Sequence, residues 1–191
     1  DAAFFVFAAT VGLFLMAILL MIQLNSFYQV WIVISAVFLS TAGVYLGHLI
    51  TQFPISFLFT NLGIIALAGI VVNNNIVLID TFNRLKIDFP DKNIEQLITE
   101  TCMSRLRPVL LTTITTIFGL IFLASGYSID LLNQTVYEGT STVKWYQAFG
   151  ISICWGLGFS TVITLIATPA LLMILEKFTK WSKNLRNSYS G

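Results

Sequence analysis

Residues 3–23, with the sequence AFFVFAATVGLFLMAILLMIQ, form a continuous apolar stretch near the start of the chain. About 20 apolar residues are enough for a helix to cross the hydrocarbon core of a bilayer, which is roughly 30 Å thick. From residue 2 to residue 79 the sequence contains no Asp, Glu, Lys or Arg, so a water-soluble fold would have no charged surface in this region. The stretch therefore predicts a membrane protein whose apolar faces contact lipid.

The composition of the whole chain supports this prediction. Hydrophobic residues make up 57% of the chain and charged residues only 10%, whereas a soluble domain carries roughly 25% charged residues. The net charge is +1 and the sequence has no basic run, so no nucleic-acid partner is predicted. Cys102 and Cys154 belong to no CxxC motif and no His/Cys cluster, so neither a disulfide nor a metal site is predicted.

Hydropathy predicts an all-α membrane protein with about five transmembrane helices. Pro108 is expected in the first turn of the fourth helix, where its missing N–H costs nothing. The predicted bundle occupies residues 1–175, and its spans cover residues 3–23, 28–50, 54–80, 109–126 and 147–174. The segments outside the spans are a charged amphipathic loop at 81–107, a second loop at 127–146 and a basic tail at 176–191.

The basic residues predict the orientation of the bundle. Nine of the ten Lys and Arg residues lie in 81–107 or in the tail 176–191, and only Lys144 lies in 127–146. The positive-inside rule then places 81–107 and the C-terminus in the cytoplasm, and 127–146 and the N-terminus on the periplasmic side. The first residues have no basic n-region and no cleavage site, so they do not read as a signal peptide. We therefore expect further sequence before residue 1.

Three consecutive asparagines at residues 73–75 lie inside the third span. Successive helical residues point about 100° apart, so the three amides cannot all face one neighbour. An amide without a partner in hydrocarbon costs several kcal/mol. Hydrogen bonds between helices, worth roughly 0.6–2 kcal/mol each, are the favoured interpretation of the amides alone. A polar lining for an ion or proton route is the alternative.

Small and hydroxylated residues mark the helix faces that we expect to pack together. Span four presents Thr112, Thr115, Thr116 and Gly119 on one face, and span five presents Gly150, Cys154, Gly158, Thr161 and Thr168 on another. Small residues allow backbones to approach and hydroxyls to bond across helices. Spans three, four and five are therefore predicted to form the bundle core. The predicted helix-packing glycines are Gly69, Gly119, Gly150 and Gly158.

The sequence predicts a protein that is not an enzyme. Asp80, at the end of a span, is the nearest acidic residue to the apolar interior, and no HExxH motif is present. His48 is predicted to be an interfacial residue. Ser35, Ser40 and Ser152 are therefore expected to lack a histidine that could activate them within the membrane. No catalytic residue, metal or cofactor is predicted.

Two stretches resemble motifs of the resistance-nodulation-division (RND) efflux transporters, the AcrB-like or acriflavin-resistance family. Residues 69–80, GIVVNNNIVLID, look like the tenth transmembrane helix of that family. Residues 105–113, RLRPVLLTT, followed by Gly119, look like the motif that leads into helix eleven. The resemblance covers nearly the whole chain and implies that its five spans are similar to helices 8–12.

The resemblance implies a set of coupling residues. Members of the family are homotrimers of the bacterial inner membrane that exchange protons for exported compounds. They work with a periplasmic adaptor and an outer-membrane channel. Their proton relay uses two aspartates of helix four, a lysine of helix ten, and a threonine and an arginine at helix eleven. The lysine position matches Asn73, the neighbouring asparagine matches Asn74, the threonine matches Thr112 and the arginine matches Arg105.

The leading interpretation is the C-terminal membrane part of a proton-driven RND-type exporter of drugs or other small amphiphilic compounds. Such a part is expected to need membrane lipid, the N-terminal half and a proton gradient, but no cofactor. Asn73 cannot form an ion pair with a carboxylate, so the relay is expected to be altered or neutralised. The alternative is a non-transporting remnant, a membrane scaffold, or an accessory subunit of the superfamily in lipid export or protein translocation.

Overall fold

The computed structural model describes residues 2–130 and 135–189. In these residues the chain forms five helices, each with a stretch long and apolar enough to cross a membrane, and one β-hairpin. This confirms the predicted fold class. The elements are α1 (Ala2–Leu24), α2 (Phe27–Thr51), α3 (Phe57–Asp88), α4 (Ile94–Ser125), β1 (Tyr127–Asp130), β2 (Thr135–Glu138) and α5 (Ser141–Tyr189).

Short turns reverse the chain between consecutive helices. Residues 25–26 join α1 to α2, and residues 52–56 join α2 to α3. Asn25 and Gln52 adopt left-handed backbone angles, with φ of 46° and 52°. Helices joined by such short connections lie antiparallel beside each other, so the chain weaves up and down through the bundle.

The segment 81–107, predicted to be a charged amphipathic loop, is mostly helical. α3 continues to Asp88 and α4 begins at Ile94, so only residues 89–93 are non-helical. The extension of α4 is held because Ile94, Leu97 and Ile98 are buried in the hydrophobic core. Pro108 consequently lies inside α4 and not in its first turn, a position that membrane helices tolerate.

The last helix is also longer than the predicted fifth span. α5 begins at Ser141, inside the predicted loop 127–146, and the rest of that loop contains the antiparallel hairpin. Tyr127 pairs with Glu138 in this hairpin, and residues 131–134 lie outside the described part of the chain. The predicted tail 176–191 continues α5 as far as Tyr189, and its last two residues are likewise outside the described part.

The core of the bundle surrounds α5. This helix contacts α2, α3 and α4, whereas α1 packs against α2 and α3. Leu157 of α5 is completely buried together with Val44 of α2 and Leu67 of α3. By contrast, α1 exposes large side chains such as Phe4 and Phe7 along most of its length. These exposed apolar side chains suit contact with lipid.

Glycines bring α2 and α5 into close contact, which the sequence interpretation missed. A Cβ added at Gly43 would lie 2.4 Å from the Cβ of Phe159, and one at Gly47 would lie 2.3 Å from the Cβ of Trp155. A Cβ at Gly156 would similarly lie 2.3 Å from Leu67. The GxxxG spacing of Gly43 and Gly47 is a signal that could have predicted this contact.

Substitution of Gly47 by Ala is expected to lower the free energy of unfolding by about 1–3 kcal/mol, because the new methyl group overlaps Trp155. The matched control is Gly12→Ala in α1, where an added Cβ meets no atom within 4 Å. There the helix preference of Ala should leave stability unchanged or raise it by up to about 1 kcal/mol. SDS-induced unfolding of the micelle-bound chain measures the change in stability of each variant. Equal changes in the two variants would contradict the close contact between Gly47 and Trp155.

Candidate functional site

The three asparagines of α3 lie in three different environments. Asn75 is completely buried, Asn74 is half-buried and Asn73 is exposed on the outside of the bundle. The rotation of about 100° between successive helical residues produces this division. The triplet therefore contributes both to the interior of the bundle and to an uncovered face.

Asn75 connects α3 to α5. Its Nδ2 donates to the Oγ1 of Thr164 at 3.3 Å, and its Oδ1 accepts from the Oγ1 of Thr168 at 2.7 Å. One turn away on the same helix, the carbonyl of Val71 also accepts from Nδ2, at 2.9 Å. Asn75 thus has the interhelical hydrogen bonds that the sequence interpretation favoured for this triplet.

A pair of hydroxyls connects α4 to α5 in a similar way. The Oγ1 atoms of Thr113 and Thr161 are 2.8 Å apart, and both residues are buried. Each hydroxyl also lies within hydrogen-bond distance of a carbonyl one turn earlier in its own helix. The adjacent Thr112 faces away from this contact, so neighbouring threonines on α4 occupy opposite environments.

Asn73 and Thr112 remain uncovered within this chain. In the described part of the structure the side chains of Asn73 and Asn74 make no hydrogen bond, and the Thr112 hydroxyl donates only to the Val109 carbonyl of its own helix. An unpaired amide in hydrocarbon is unfavourable by several kcal/mol. A further polar surface or water must therefore meet this face in the membrane.

Arg105 aligns the two helices that carry these residues. Its Nε donates to the Oγ1 of Thr81 on α3 at 2.6 Å. Asn73 precedes Thr81 by eight residues and Thr112 follows Arg105 by seven, which correspond to roughly 12 Å and 10 Å of helix rise. Since α3 and α4 are antiparallel, Asn73 and Thr112 lie at nearly the same depth. Arg105 is closer to the end of the bundle formed by residues 89–93.

The four predicted packing glycines have different surroundings. A Cβ at Gly150 would lie 2.8 Å from the backbone nitrogen of Ala124, so α5 closely approaches α4 there. At Gly69, Gly119 and Gly158 an added Cβ would meet nothing within 4 Å. These three glycines are therefore not packing positions within this chain, which corrects the sequence interpretation. Their helical spacing could not show which face the neighbouring helices would cover.

His48 lies in the last turn of α2, and its side chain is buried within the bundle. Only 3% of it is exposed, and its Nε2 lies 3.0 Å from the Oγ of Ser152 on α5. The Oγ1 of Thr60 is 3.5 Å from the same nitrogen. Ser152 therefore does have a neighbouring histidine, contrary to expectation. The sequence interpretation missed this contact because the two residues are 104 positions apart.

A second missed polar cluster lies at the other end of the bundle. Glu176 of α5 is only 4% exposed, and both of its carboxylate oxygens are 2.7 Å from the Nζ of Lys86 on α3. Tyr28 of α2 donates its hydroxyl to the same carboxylate at 3.0 Å. Gln29 and Asn83 exchange two side-chain hydrogen bonds beside it, at 2.8 and 3.1 Å.

These contacts define a multi-pass helical membrane protein whose helices are joined by buried polar side chains and which leaves Asn73 and Thr112 uncovered. The model of the AcrB/AcrD/AcrF family matches residues 2–176. The chain therefore belongs to this family of RND transporters, as its two sequence motifs predicted.

Two relatives illustrate the similarity. The chain is 36% identical over 119 residues to the swarming motility protein SwrC of Bacillus subtilis (strain 168). This alignment covers 62% of this chain and 10% of that protein. The chain is 31% identical over 135 residues to the multidrug resistance protein MdtC of Edwardsiella ictaluri (strain 93-146). This second alignment covers 71% of this chain and 12% of that protein. The chain thus spans about a tenth of the length of these curated relatives.

Substitution of Asn75 by Ala is expected to lower the free energy of unfolding by about 1–2 kcal/mol, because both hydrogen bonds to α5 are lost. Asn73→Ala is the matched control on the same helix. Since the Asn73 side chain is exposed and joins no other helix, its removal should not lower stability. SDS unfolding compares the two variants, and an equal loss in both would show that Asn75 does not hold α3 against α5.

Glu176→Ala is expected to lower the free energy of unfolding by about 1–3 kcal/mol. The substitution leaves Lys86 and Tyr28 without their shared acceptor. A fully buried pair would lose more, but the Lys86 side chain is 43% exposed. Glu100→Ala removes the exposed pair with Lys92 and should cost at most about 1 kcal/mol. In a double-mutant cycle with Lys86→Ala, additive losses would mean that the ion pair contributes no coupling energy.

Proposed function

We propose that this chain is the C-terminal part of the membrane domain of a proton-driven RND-type exporter, with Asn73, Asn74, Thr112 and Arg105 at its coupling site. The observation that carries this proposal is the uncovered pair Asn73 and Thr112. The two residues lie at nearly the same depth within apolar helices of an RND family member. In the intact transporter this face would meet the other half of the membrane domain.

The partner surface that fits this face is acidic. Asn73 offers amide N–H donors, and Thr112 offers a hydroxyl, to any carboxylate brought against them. Neutral donors stabilise an ionised carboxylate less than a lysine would, so the carboxylate would be protonated more readily than beside a cation. Arg105, the cation that the resemblance assigns to this site, lies about two turns from Thr112 towards the cytoplasmic end of α4. It would then supply the charge that the family obtains from lysine.

The positive-inside rule supports a cytoplasmic location for the end that carries residues 89–93. Lys177 of α5 contacts Glu95 of α4 at 2.6 Å, so both basic segments lie at this same end. Lys144 is at the opposite end, near the hairpin. We therefore infer an inner-membrane protein of a bacterium with its hairpin in the periplasm and its C-terminus in the cytoplasm.

We propose the cargo and the assembly partners on the basis of family membership. The name of the relative MdtC, a multidrug resistance protein, supports drugs or other small amphiphilic compounds as cargo. A homotrimer with a periplasmic adaptor and an outer-membrane channel is the proposed assembly. Membrane lipid would cover the exposed apolar sides of α1 and α2.

A non-transporting member of the superfamily is the second candidate. One observation favours it: the neutral Asn73 stands at the position that matches the lysine of RND efflux transporters. In that case the uncovered amide would only pack against another helix. The two candidates differ in whether removal of Asn73 affects proton-dependent transport.

The test uses the intact transporter that contains this chain, produced in cells without other efflux pumps. Cells preloaded with a fluorescent amphiphilic dye should expel it only while a proton gradient is present. Asn73→Ala and Thr112→Val should each slow this efflux about tenfold, which corresponds to the loss of roughly 1.4 kcal/mol of polar contact. The measurement is the initial efflux rate per correctly inserted transporter, before and after addition of a protonophore.

Two control variants remove the same kinds of side-chain group, an amide and a hydroxyl, at positions away from Asn73 and Thr112. Asn61→Ala is near the start of α3, and Ser125→Ala removes a hydroxyl that bonds only within α4. Both should retain the wild-type rate. Unchanged efflux in Asn73→Ala and Thr112→Val would refute the site assignment, whereas no dye efflux by the wild type would favour the non-transporting candidate.

A further inference from the structure

The outward side of α4 carries a stripe of large apolar side chains with one arginine at its end. Arg107 is exposed, and four residues that follow it along the helix are each at least half exposed. Steps of three or four residues keep these side chains on one side of the helix. They form the outer stripe, which consists of Leu111, Ile114, Phe118 and Phe122. The apolar side chains suit hydrocarbon, whereas the arginine beside them needs a polar partner.

The outer stripe faces away from both the bundle and the proposed coupling site. Val109 and Thr113 are buried, and the Thr113 hydroxyl contacts α5. At about 100° per residue, these two side chains point roughly 120–160° away from Arg107. Thr112 follows Arg107 by five residues and points about 140° away on the other side of the helix. The outer stripe is therefore a different surface from the face that carries Asn73 and Thr112.

The charge of Arg107 is uncompensated in the described part of the chain. At the end of the bundle that carries residues 89–93, Arg105 donates to the Thr81 hydroxyl. The other basic side chains that the structure describes there form ion pairs at 2.6–3.0 Å, namely Arg84–Asp80, Lys86–Glu176, Lys92–Glu100 and Lys177–Glu95. Arg107 has no hydrogen bond or ion pair with any described residue, so its guanidinium is available to a group outside this chain.

The length of α4 places Arg107 at a membrane surface. α4 ends at Ser125, 18 residues after Arg107, and this length corresponds to about 27 Å of helix rise, close to the thickness of the hydrocarbon core. Beside the Ser125 end, Gln147 of α5 donates to the carbonyl of Ala124 at 3.2 Å. The nearby Trp145 is exposed, and tryptophan is typical of the membrane–water interface. Arg107 is therefore at the level of the headgroups of the opposite leaflet.

An anionic phospholipid matches this surface in charge and in length. A guanidinium can donate two parallel hydrogen bonds to a phosphate. One leaflet supplies about half of the hydrocarbon core, or roughly 15 Å. From Arg107 to Phe118 the helix rises about 16 Å, so acyl chains below the phosphate would cover most of the outer stripe. A zwitterionic headgroup carries its own cation beside the phosphate, whereas an anionic lipid keeps a net charge that attracts a basic side chain.

We propose that Arg107 and the outer stripe of α4 bind an anionic phospholipid of the leaflet at the end of the bundle that carries residues 89–93. The guanidinium pairs with the phosphate, and the acyl chains lie along Leu111, Ile114 and Phe118. The orientation proposed above makes this the cytoplasmic leaflet. The lipid site is independent of the coupling site, because none of its side chains belongs to the face that carries Asn73 and Thr112.

The test uses the intact transporter that contains this chain, reconstituted into liposomes of equal parts phosphatidylglycerol and phosphatidylcholine. A photoreactive benzoylphenylalanine replaces Leu111, one turn from Arg107, and the mass of its adduct identifies what covers the outer stripe. We expect lipid adducts in which phosphatidylglycerol exceeds phosphatidylcholine about fivefold. This ratio corresponds to about 1 kcal/mol for a basic residue near an anionic surface.

Arg107→Gln should reduce the preference for phosphatidylglycerol to about equal amounts of the two lipids, because the cation is removed. Arg84→Gln is the matched control, since it removes the same charge at the same end from a guanidinium that already pairs with Asp80. This variant should keep the preference. Equal adducts of both lipids in the wild type, or a peptide adduct in place of lipid, would overturn the proposal. The same loss in both variants would also overturn it, and the wild-type ratio decides even if a variant does not fold.

Discussion

Hydrocarbon offers no hydrogen-bond partner, and this constraint organises the whole structure. It requires helical backbone in the membrane-spanning segments, because only a helix satisfies its own N–H and C=O groups. It also requires that polar side chains within the spans find partners on neighbouring helices. Asn75, His48 and Glu176 all do so, and no buried side-chain nitrogen or oxygen in the described residues lacks a hydrogen bond.

α5 is the helix on which most of these contacts converge. Ser152, Thr168 and Glu176 meet His48, Asn75 and Lys86, respectively, so α2 and α3 are each aligned with α5 by side-chain contacts. From Ser152 to Glu176 the helix advances 24 residues, or about 36 Å, slightly more than the hydrocarbon core of a bilayer. The contacts thus extend through the full thickness of the membrane, while the glycines of α2 allow the close approach that they need.

The same constraint implies that the uncovered face needs a polar partner. Asn75 is satisfied within the chain, but Asn73 and Thr112 are not joined to another helix in the described structure. Under the proposed function, this face would meet polar groups of the other half of the membrane domain. The side chain of His48 differs, because the groups that it contacts belong to this chain.

The sequence by itself determined the fold class, the number of spans and the family, because hydropathy and the motifs at 69–80 and 105–113 are local properties of the chain. It also predicted that Asn73, Asn74 and Asn75 cannot share one environment. Only the tertiary structure decided which amide is covered, that Gly43 and Gly47 rather than Gly69 and Gly119 lie at close contacts, and that His48 meets Ser152. The physical reason is that helical periodicity gives the relative directions of side chains. It does not give the neighbour that each face meets.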